Sequence, residues 1–365
     1  MKLSGRWAGA WAVLIWCSAP LLPAMRSYLN EAAPGGFDRY VASGLLVISA
    51  ALVGLVWVCR RGNRVRALGE LILVLVCFAA LYALLASPDP RSNLVELAHF
   101  VEYGTLAILA FGSFGTLSPP ARWAQTLLLV VAVGLVDEAL QWALASRVAE
   151  IRDVALNAAA GALGLSYVAW VLRIVEDRSA RLTRGEMTRV VTVGALLLPA
   201  LAAFLYVAHL GYWIRWDGIQ FVSQYRPSEI EHVGEDRRAR WASWGEVERD
   251  QLRSPEEQFW ALEDFYVTEA RRHIQARNEA AEGGDFHVAT GENLIVERWY
   301  SPYLEVTGAE RSDLPVALEE PTYHSHELQH LSPGLASPKV WGILIAAELT
   351  LVGLAAYWAR LESKA

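Results

Sequence analysis

The chain has 365 residues, of which 54% are hydrophobic and only 19% are charged, and its mean hydropathy is +0.26. Such a composition excludes an ordinary soluble protein and indicates an integral membrane protein. The net charge of -7 is unevenly distributed, because residues 211–338 hold 24 acidic and 12 basic side chains and the rest hold 15 acidic and 20 basic. We therefore expect one acidic soluble block within a basic-flanked membrane scaffold, and an acidic block gives no reason to expect nucleic-acid binding.

Eight apolar stretches of about 20 residues, the length that crosses a bilayer as a helix, predict eight transmembrane helices. They are residues 7–25, 40–59, 67–86, 98–117, 124–146, 153–175, 189–210 and 339–359. The first stretch follows Lys2 and Arg6 and is also compatible with a signal sequence. Its length and its lack of a clear cleavage site favour a retained span.

Arginine-rich connections predict the orientation, because basic residues are enriched in cytoplasmic loops. Four arginines lie within residues 60–66 and five within 173–189, and both connections fall on the same side if the spans alternate. Both termini are then cytoplasmic, and the acidic block lies outside. We expect five regions: an N-terminal helix and outer loop (1–39), a helical core (40–175), a cytoplasmic basic loop with the seventh helix (176–210), an acidic extracytoplasmic domain (211–338) and a C-terminal helix and tail (339–365).

The acidic block has the pattern of a small folded domain. Ser254-Pro255-Glu256-Glu257 is typical of a helix start, and the helix is expected to end at Gly283-Gly284. Residues 227–252 are also predicted to be helical. The segments "DFHVAT", "NLIVERWY" and "YLEVTG", within residues 285–308, favour short strands. The expected fold class is an all-α polytopic membrane protein with a small α+β extracytoplasmic domain inserted before the last helix.

Polar side chains interrupt three of the apolar spans at matching depth in the outer part of the bilayer. Helical spacing puts His99, Glu102 and Tyr103 on one face of the fourth span, and Asp137 and Gln141 on one face of the fifth. Glu138 points about 100° away from that face. The full set is His99, Glu102, Tyr103, Asp137, Glu138, Gln141, Arg147, Asp153 and Asn157. These groups either only lock three helices together or form an outward-facing pocket, with Arg147 as counter-charge. Intramembrane ionisable groups favour a functional pocket.

Small residues follow on the sixth span, at Ala160, Gly161 and Gly164, and let a neighbouring helix approach closely. The motifs "HFVEYGTL" and "DEALQ", with Arg147 six residues after Gln141, then Asp153 and Asn157, resemble the signature of the VanZ-like family of bacterial membrane proteins. The resemblance covers about residues 40–172. Two positions depart from the family pattern. Ala160 stands where the family usually has a glycine, three residues after Asn157. Glu96 and Leu97 stand where a basic residue often precedes the histidine motif, and the missing basic residue weakens the case for a lipid-phosphate contact.

The VanZ-like resemblance implies a role at the cell envelope, because the founding member is associated with low-level resistance to the glycopeptide teicoplanin. It implies no particular reaction. The leading hypothesis is a pocket that binds membrane lipids, a lipid-linked cell-wall precursor or a glycopeptide. The alternative is a membrane enzyme that performs acid–base chemistry on an envelope lipid or glycan, with a carboxylate and His99 as catalysts. No cofactor is predicted.

The segment "HELQH", residues 326–330, matches the zinc-protease pattern. On a helix, His326 and His330 could bind zinc and Glu327 could act as general base. Pro333 and Pro338 follow closely, so such a helix would be very short. A metalloprotease is therefore the least favoured of the three functional hypotheses.

Overall fold

The computed structural model of the protein describes residues 5–362 except 34–35, 61, 86–92, 145–148, 173–180, 254–264, 316–317, 319–321 and 329. The described residues form thirteen α-helices and three β-strands. The helices are α1 Gly5–Ala32, α2 Gly36–Cys59, α3 Arg64–Leu85, α4 Asn93–Ser113, α5 Pro119–Trp142, α6 Ile151–Ser166, α7 Arg184–His209, α8 Pro227–Trp241, α9 Glu246–Arg253, α10 Phe265–Gly283, α11 Phe286–Trp299, α12 Ser301–Thr307 and α13 Pro338–Glu362. The strands are β1 Tyr212–Trp216, β2 Ile219–Ser223 and β3 Tyr323–His324.

The chain divides into two compact units. The first unit comprises Met1–Gln141, Ala149–Ala202 and Ile345–Ala365, and the second comprises Trp142–Val148 and Ala203–Leu344. The first unit is helical, and the second holds the three strands together with α8 to α12.

Five helices in the described part of the chain are long and apolar enough to cross a membrane. These segments are Arg39–Val58, Pro119–Trp142, Ile151–Val171, Arg184–His209 and Pro338–Leu361. Each of the eight predicted spans falls on a helix, α1 to α7 and α13, but the total of eight crossings stays a prediction. The protein is therefore a multi-helix membrane protein.

Helix α1 belongs to the core of the first unit. Its Ile15 is buried against side chains of α4, α5 and α6. Two indoles donate hydrogen bonds to backbone carbonyls: Trp11 Nε1 to Glu102 O at 2.8 Å, and Trp16 Nε1 to Val133 O at 3.1 Å. Because an indole N–H needs an acceptor when it leaves water, these bonds fix the position of α1 along both helices.

A π-helical turn, Tyr167–Val171, continues α6 and packs against α2 and α3. The Tyr167 hydroxyl donates to the carbonyl of Leu52 at 2.9 Å. The Val171 carbonyl, at the end of the wider turn, accepts from Arg60 Nη1 at 3.1 Å. The side chain of Tyr167 thus ties the first end of the turn to the backbone of α2, and the side chain of Arg60, which follows α2, bonds the backbone at the other end.

One carboxylate caps two helices of the first unit. Glu186, in the first turn of α7, accepts from the backbone N–H of Thr183 at 2.9 Å and from the backbone N–H of Ser118 at 2.6 Å. Both hydroxyls also donate to it, Ser118 at 2.8 Å and Thr183 at 3.0 Å. Ser118 precedes α5 and Thr183 precedes α7, so Glu186 satisfies the first N–H groups of two helices.

Replacing Glu186 with alanine is expected to lower the free energy of unfolding by about 1 kcal/mol for each of the two helix starts, because both lose their capping acceptor. Thermal unfolding of the detergent-solubilised protein measures the loss. Glu235→Ala, an exposed glutamate within α8, serves as the control and is expected to change the melting temperature very little. Equal effects of the two substitutions would contradict the double-cap interpretation.

The sheet of the second unit has the order β1-β2-β3, with β1 and β2 antiparallel and β2 and β3 parallel. Asp217 and Gly218 form the two-residue turn between β1 and β2, with φ values of 44° and 79°. Two positive φ values in succession suit the right-handed twist of a hairpin. This hairpin was not predicted, although an Asp-Gly pair is typical of two-residue hairpin turns.

The strands predicted within residues 285–308 are wrong, because these residues form α11 and α12. Asp285 caps α11 by accepting from the backbone N–H of Val288 at 3.2 Å, and Gly308 ends α12 with a φ of 68°. The region 227–252 is helical as predicted, but it forms two helices, α8 and α9, rather than one. Helix α10 ends at Gly283 as predicted, whereas the predicted helix start at residues 254–257 lies outside the described residues.

Candidate functional site

Helices α4 and α5 meet at a buried tyrosine–aspartate hydrogen bond. The hydroxyl of Tyr103 donates to Asp137 Oδ2 at 3.1 Å, and 0% of Tyr103 and 3% of Asp137 is exposed. Asp137 lies five residues before the end of α5 at Trp142, or about 7 Å at the helical rise per residue. The carboxylate is therefore close to one end of the span rather than at its centre.

Gln141 joins the two acids of α5. Its Nε2 donates to Asp137 Oδ2 and to Glu138 Oε1, at 3.2 Å each. Glu138 is fully buried, and its Oε2 accepts from the backbone N–H of Glu150 at 3.0 Å. The side chain that helical spacing placed about 100° off the shared face is thus inside the same hydrogen-bonded group, because a long glutamate side chain reaches the amide of Gln141.

His99 and Glu102 continue the face of α4. The His99 ring stacks on that of Tyr103, with 6.1 Å between ring centroids and 21° between the planes. His99 is buried, whereas Glu102 is partly exposed. Together these residues place an imidazole next to the tyrosine that bonds Asp137.

Asn157 lies inside the first unit with neither amide atom hydrogen-bonded to a described residue. It is fully buried on α6. A side chain on Gly134 would crowd it, since a Cβ there would lie 3.1 Å from Asn157 Nδ2. Gly134 precedes Asp137 by three residues, so the amide packs against α5 within one turn of the carboxylates. Such an unsatisfied buried amide requires an explanation.

The beginning of α6 carries a local ion-pair group. Arg152 Nε lies 3.2 Å from a carboxylate oxygen of Glu150, and its Nη2 lies 3.5 Å from Asp153 Oδ1. Asp153 was among the predicted site residues, but Arg152 was not. Its position directly before Asp153 in the sequence was a sign that the two side chains could pair. Arg147, the predicted counter-charge, lies outside the described residues.

Glycines let α4, α5 and α6 approach closely. A Cβ on Gly164 would lie 2.5 Å from the carbonyl oxygen of Gly104, and one on Gly161 would lie 2.7 Å from Val130 Cγ1. Ala160 also lies against Gly104, since a Cβ on Gly104 would be 3.7 Å from the Ala160 carbonyl oxygen. Gly104 was not singled out in the sequence, although it follows Tyr103 directly.

The described members of this group, which we call the polar cluster, are His99, Glu102, Tyr103, Asp137, Glu138, Gln141 and Asn157. All of them except Glu102 are buried. Chemically the polar cluster offers two carboxylates that accept from a tyrosine hydroxyl, a glutamine amide and a backbone N–H. Whether a pocket opens outward beside it stays a prediction.

The "HELQH" segment is not a helix. Glu327 and Leu328 lie in a turn, and Leu328 has a φ of 59° in the left-handed region. His326 is exposed, whereas the carbonyl of His330 accepts from Nδ1 of His209 at 2.8 Å. Among the described residues of this segment His326 and His330 do not share a helix face, so they lack the arrangement that the zinc-protease pattern requires. In the described parts of the chain, no group of three His, Cys, Asp or Glu side chains could hold a metal ion.

Comparison with known proteins identifies one region. Residues 45–173 match the family model described as VanZ/LLP1. No curated protein matches the chain, and no solved structure matches it. The matched range runs from α2 to the π-helical turn and contains the whole polar cluster.

Proposed function

We propose that this chain, whose residues 45–173 form a VanZ-like membrane domain, binds a lipid-linked or cell-wall-related ligand through the polar cluster. The binding would take place in the outer part of a bacterial cytoplasmic membrane. A link to glycopeptide resistance follows from the VanZ-like domain. Membrane lipids, a lipid-linked cell-wall precursor or a glycopeptide are the candidate ligands.

One observation carries this proposal: Tyr103 and Gln141 orient a buried pair of carboxylates, Asp137 and Glu138, within membrane-spanning helices. An ionised carboxylate costs about 2.5–3.5 kcal/mol at the centre of a span on insertion scales, and near the end of a span its burial is still unfavourable. Two acids that served only to lock helices together could be replaced by apolar side chains at lower cost. Their presence therefore supports a role in binding or proton handling.

The proposed roles follow from the contacts. Asp137 and Glu138 accept hydrogen bonds or protons, and Tyr103 and Gln141 orient them. The amide of Asn157, which has no hydrogen-bond partner among the described residues, is available to a ligand that reaches α5. Arg147 would bind an anionic group of the ligand or neutralise one of the acids, and Asp153 would orient the beginning of α6.

Loss of the carboxylate charge tests the binding proposal. In a glycopeptide-susceptible bacterial host that makes the protein, we expect the wild type to raise the inhibitory concentration of teicoplanin. Asp137→Asn and Glu138→Gln keep the side-chain size and are expected to return it to the value of the host alone. Glu348→Gln, an acid in α13 outside the polar cluster, is the matched control and should behave as wild type.

Membrane levels of all variants are compared by immunoblot, so that loss of protein is not mistaken for loss of function. If Asp137→Asn reaches normal levels and still protects fully, the polar cluster has no role in the phenotype. If the wild type gives no protection, the glycopeptide link is wrong. Co-purification of a lipid-linked cell-wall precursor with wild type but not with Asp137→Asn then tests ligand binding alone.

The stacking of His99 on Tyr103, whose hydroxyl bonds Asp137, favours a second candidate function. In this alternative the same residues perform acid–base chemistry on an envelope lipid or glycan. Purified protein would then convert a lipid-linked substrate, and His99→Ala would abolish the conversion. Binding without conversion would exclude the enzymatic alternative.

A further inference from the structure

The second unit contains a buried acid–base pair that lies outside the VanZ-like domain. His273 on α10 and Glu292 on α11 are 0% and 1% exposed at their side chains, and His273 Nδ1 lies 2.5 Å from Glu292 Oε2. Only one of the ring nitrogens is bonded, since Nε2 has no hydrogen-bond partner among the described residues. This pair was not predicted, because its members are 19 residues apart on two helices.

The other oxygen of Glu292 holds a connecting segment, whose described residues are 322–328 and 330–332 and which leads towards α13. The hydroxyls of Tyr323 and Ser325 both donate to Glu292 Oε1, at 2.6 Å each. The Ser325 hydroxyl in turn accepts from the backbone N–H of Glu327 at 3.1 Å. A side chain on Gly291 would collide with the Tyr323 ring, so α11 is shaped to receive this tyrosine. The carboxylate of Glu292 is therefore shared between His273 and the connecting segment.

The other end of the connecting segment is fixed independently. The Ser332 N–H donates to the carbonyl of His209 at 2.7 Å, and Leu328 and Leu331 pack against Val222 of β2. Neither of these contacts involves His273 or Glu292. The beginning of the segment, at Tyr323 and Ser325, is thus the part that depends on Glu292.

Several charged groups surround His273. Glu269, one helical turn earlier on α10, is buried and accepts from Tyr300, Ser223 and the backbone of Gln224. Glu327 of the connecting segment is a further acidic group near the pair. The positive charge of Arg272 lowers the pKa of Glu327. Burial raises the pKa of Glu269, and its hydrogen-bond donors lower it by less. Burial likewise raises the pKa of Glu327 by more than the nearby cations lower it.

The pair itself is held in its ionised form. Burial alone would lower the pKa of His273, but the Glu292 carboxylate outweighs burial and raises this pKa above its ordinary value, with help from Glu269 and Glu327. Burial would likewise raise the pKa of Glu292, but His273, Ser325 and Tyr323 together lower it. Both shifts favour the imidazolium–carboxylate form of the pair, because each charge stabilises the other.

We propose that the His273–Glu292 pair is a proton-operated latch, which fastens the beginning of the connecting segment to α10 and α11 while His273 is protonated. When His273 loses its proton, Glu292 stays buried as a carboxylate without its counter-charge and with Glu269 and Glu327 nearby. Because a buried carboxylate without a counter-charge is costly, separation of the connecting segment from Glu292, which admits water to the carboxylate, relieves that cost. The connecting segment is released at this end, while its contacts with His209 and Val222 remain.

The sign of the pH dependence follows from the two shifts. His273 is ordinarily half-protonated at pH 6.5, so between 6.5 and its raised pKa the folded unit binds more protons than the unfolded chain. Stability from the latch is therefore complete below 6.5 and is lost as pH rises through the raised pKa. On the acid side, stability from Glu292 is lost as pH falls through its lowered pKa, below 4.5.

Hydrogen exchange of the full-length protein in detergent, from pH 6 to pH 9, tests the latch. After correction for intrinsic exchange, protection of amides 322–328 is expected to be lost as pH rises, whereas protection of amides near Ser332 is expected to stay the same. In His273→Asn the amide replaces Nδ1 as donor but does not titrate, so protection should be the same at both pH values. Arg238→Gln, which breaks an exposed ion pair with Glu305, is the control and should keep the wild-type pH dependence.

A second variant covers the case in which His273→Asn does not fold. Tyr323→Phe leaves both members of the pair in place and removes one fastening hydroxyl, so amides 322–328 should exchange faster already at pH 6. Amides near Ser332 should stay protected in that variant. Wild-type protection that does not change between pH 6 and pH 9 would overturn the proposal, as would an unaltered pH dependence in His273→Asn.

Discussion

Replacing Glu292 with alanine is expected to destabilise the second unit by about 3–5 kcal/mol, the usual cost of leaving one member of a buried ion pair unpaired. His273 would keep its place in the interior without a counter-charge, and the hydroxyls of Tyr323 and Ser325 would lose their common acceptor. Native-state hydrogen exchange of the α10 and α11 amides measures the loss as a free energy.

An exposed ion pair of the same unit provides the matched control. Glu305 lies 2.9 Å from Arg238, and both side chains are about half exposed. Because water screens such pairs, Glu305→Ala should cost no more than about 1 kcal/mol. If the two substitutions cost the same, Glu292 is not the centre of a buried network.

Gly164→Ala is expected to destabilise the first unit by about 1–3 kcal/mol, the range for overpacking a tight interior. The added Cβ would lie 2.5 Å from the carbonyl oxygen of Gly104 and 3.0 Å from its Cα. Backbone atoms cannot rotate away as a side chain can, so α4 and α6 must separate. Thermal unfolding in detergent measures this change, and the phenotype of the polar cluster should weaken with it, because α4 carries Tyr103.

Gly54→Ala on α2 is the control, since a Cβ there meets no atom within 4 Å. Alanine favours a helix over glycine by about 1 kcal/mol, so this variant should be as stable as the wild type or slightly more so. A loss of stability in Gly54→Ala as large as in Gly164→Ala would mean that the close contact of α4 and α6 is not what requires glycine.

The helices of the first unit follow from composition. Long apolar runs predict helices, because a single segment in a bilayer can satisfy all its backbone N–H and C=O groups only as a helix. Spacing likewise predicts that Asp137 and Gln141 share a face. It does not predict the partners of Glu138, because one of them is a backbone N–H beyond the helix, at Glu150.

Helix α11 was predicted as strands for a physical reason. Three of its eight buried residues, Thr290, Glu292 and Asn293, are polar. Helix prediction depends on the spacing of apolar residues, because polar residues are assigned to the surface. When polar residues lie in the core, the apolar residues no longer show the helical period. The buried network that explains the error can be recognised only once α10, α11 and the connecting segment lie side by side.

The two indole hydrogen bonds of α1 set a lower limit on the size of the protein that can carry the polar cluster. A truncated chain limited to residues 45–173 would contain every cluster residue and yet lose Trp11 and Trp16, the donors to the carbonyls of Glu102 and Val133. The face of α4 and α5 that α1 covers would then be open to lipid. Reconstitution of the cluster by itself therefore requires residues 5–32 as well, supplied in the same chain or as a separate peptide.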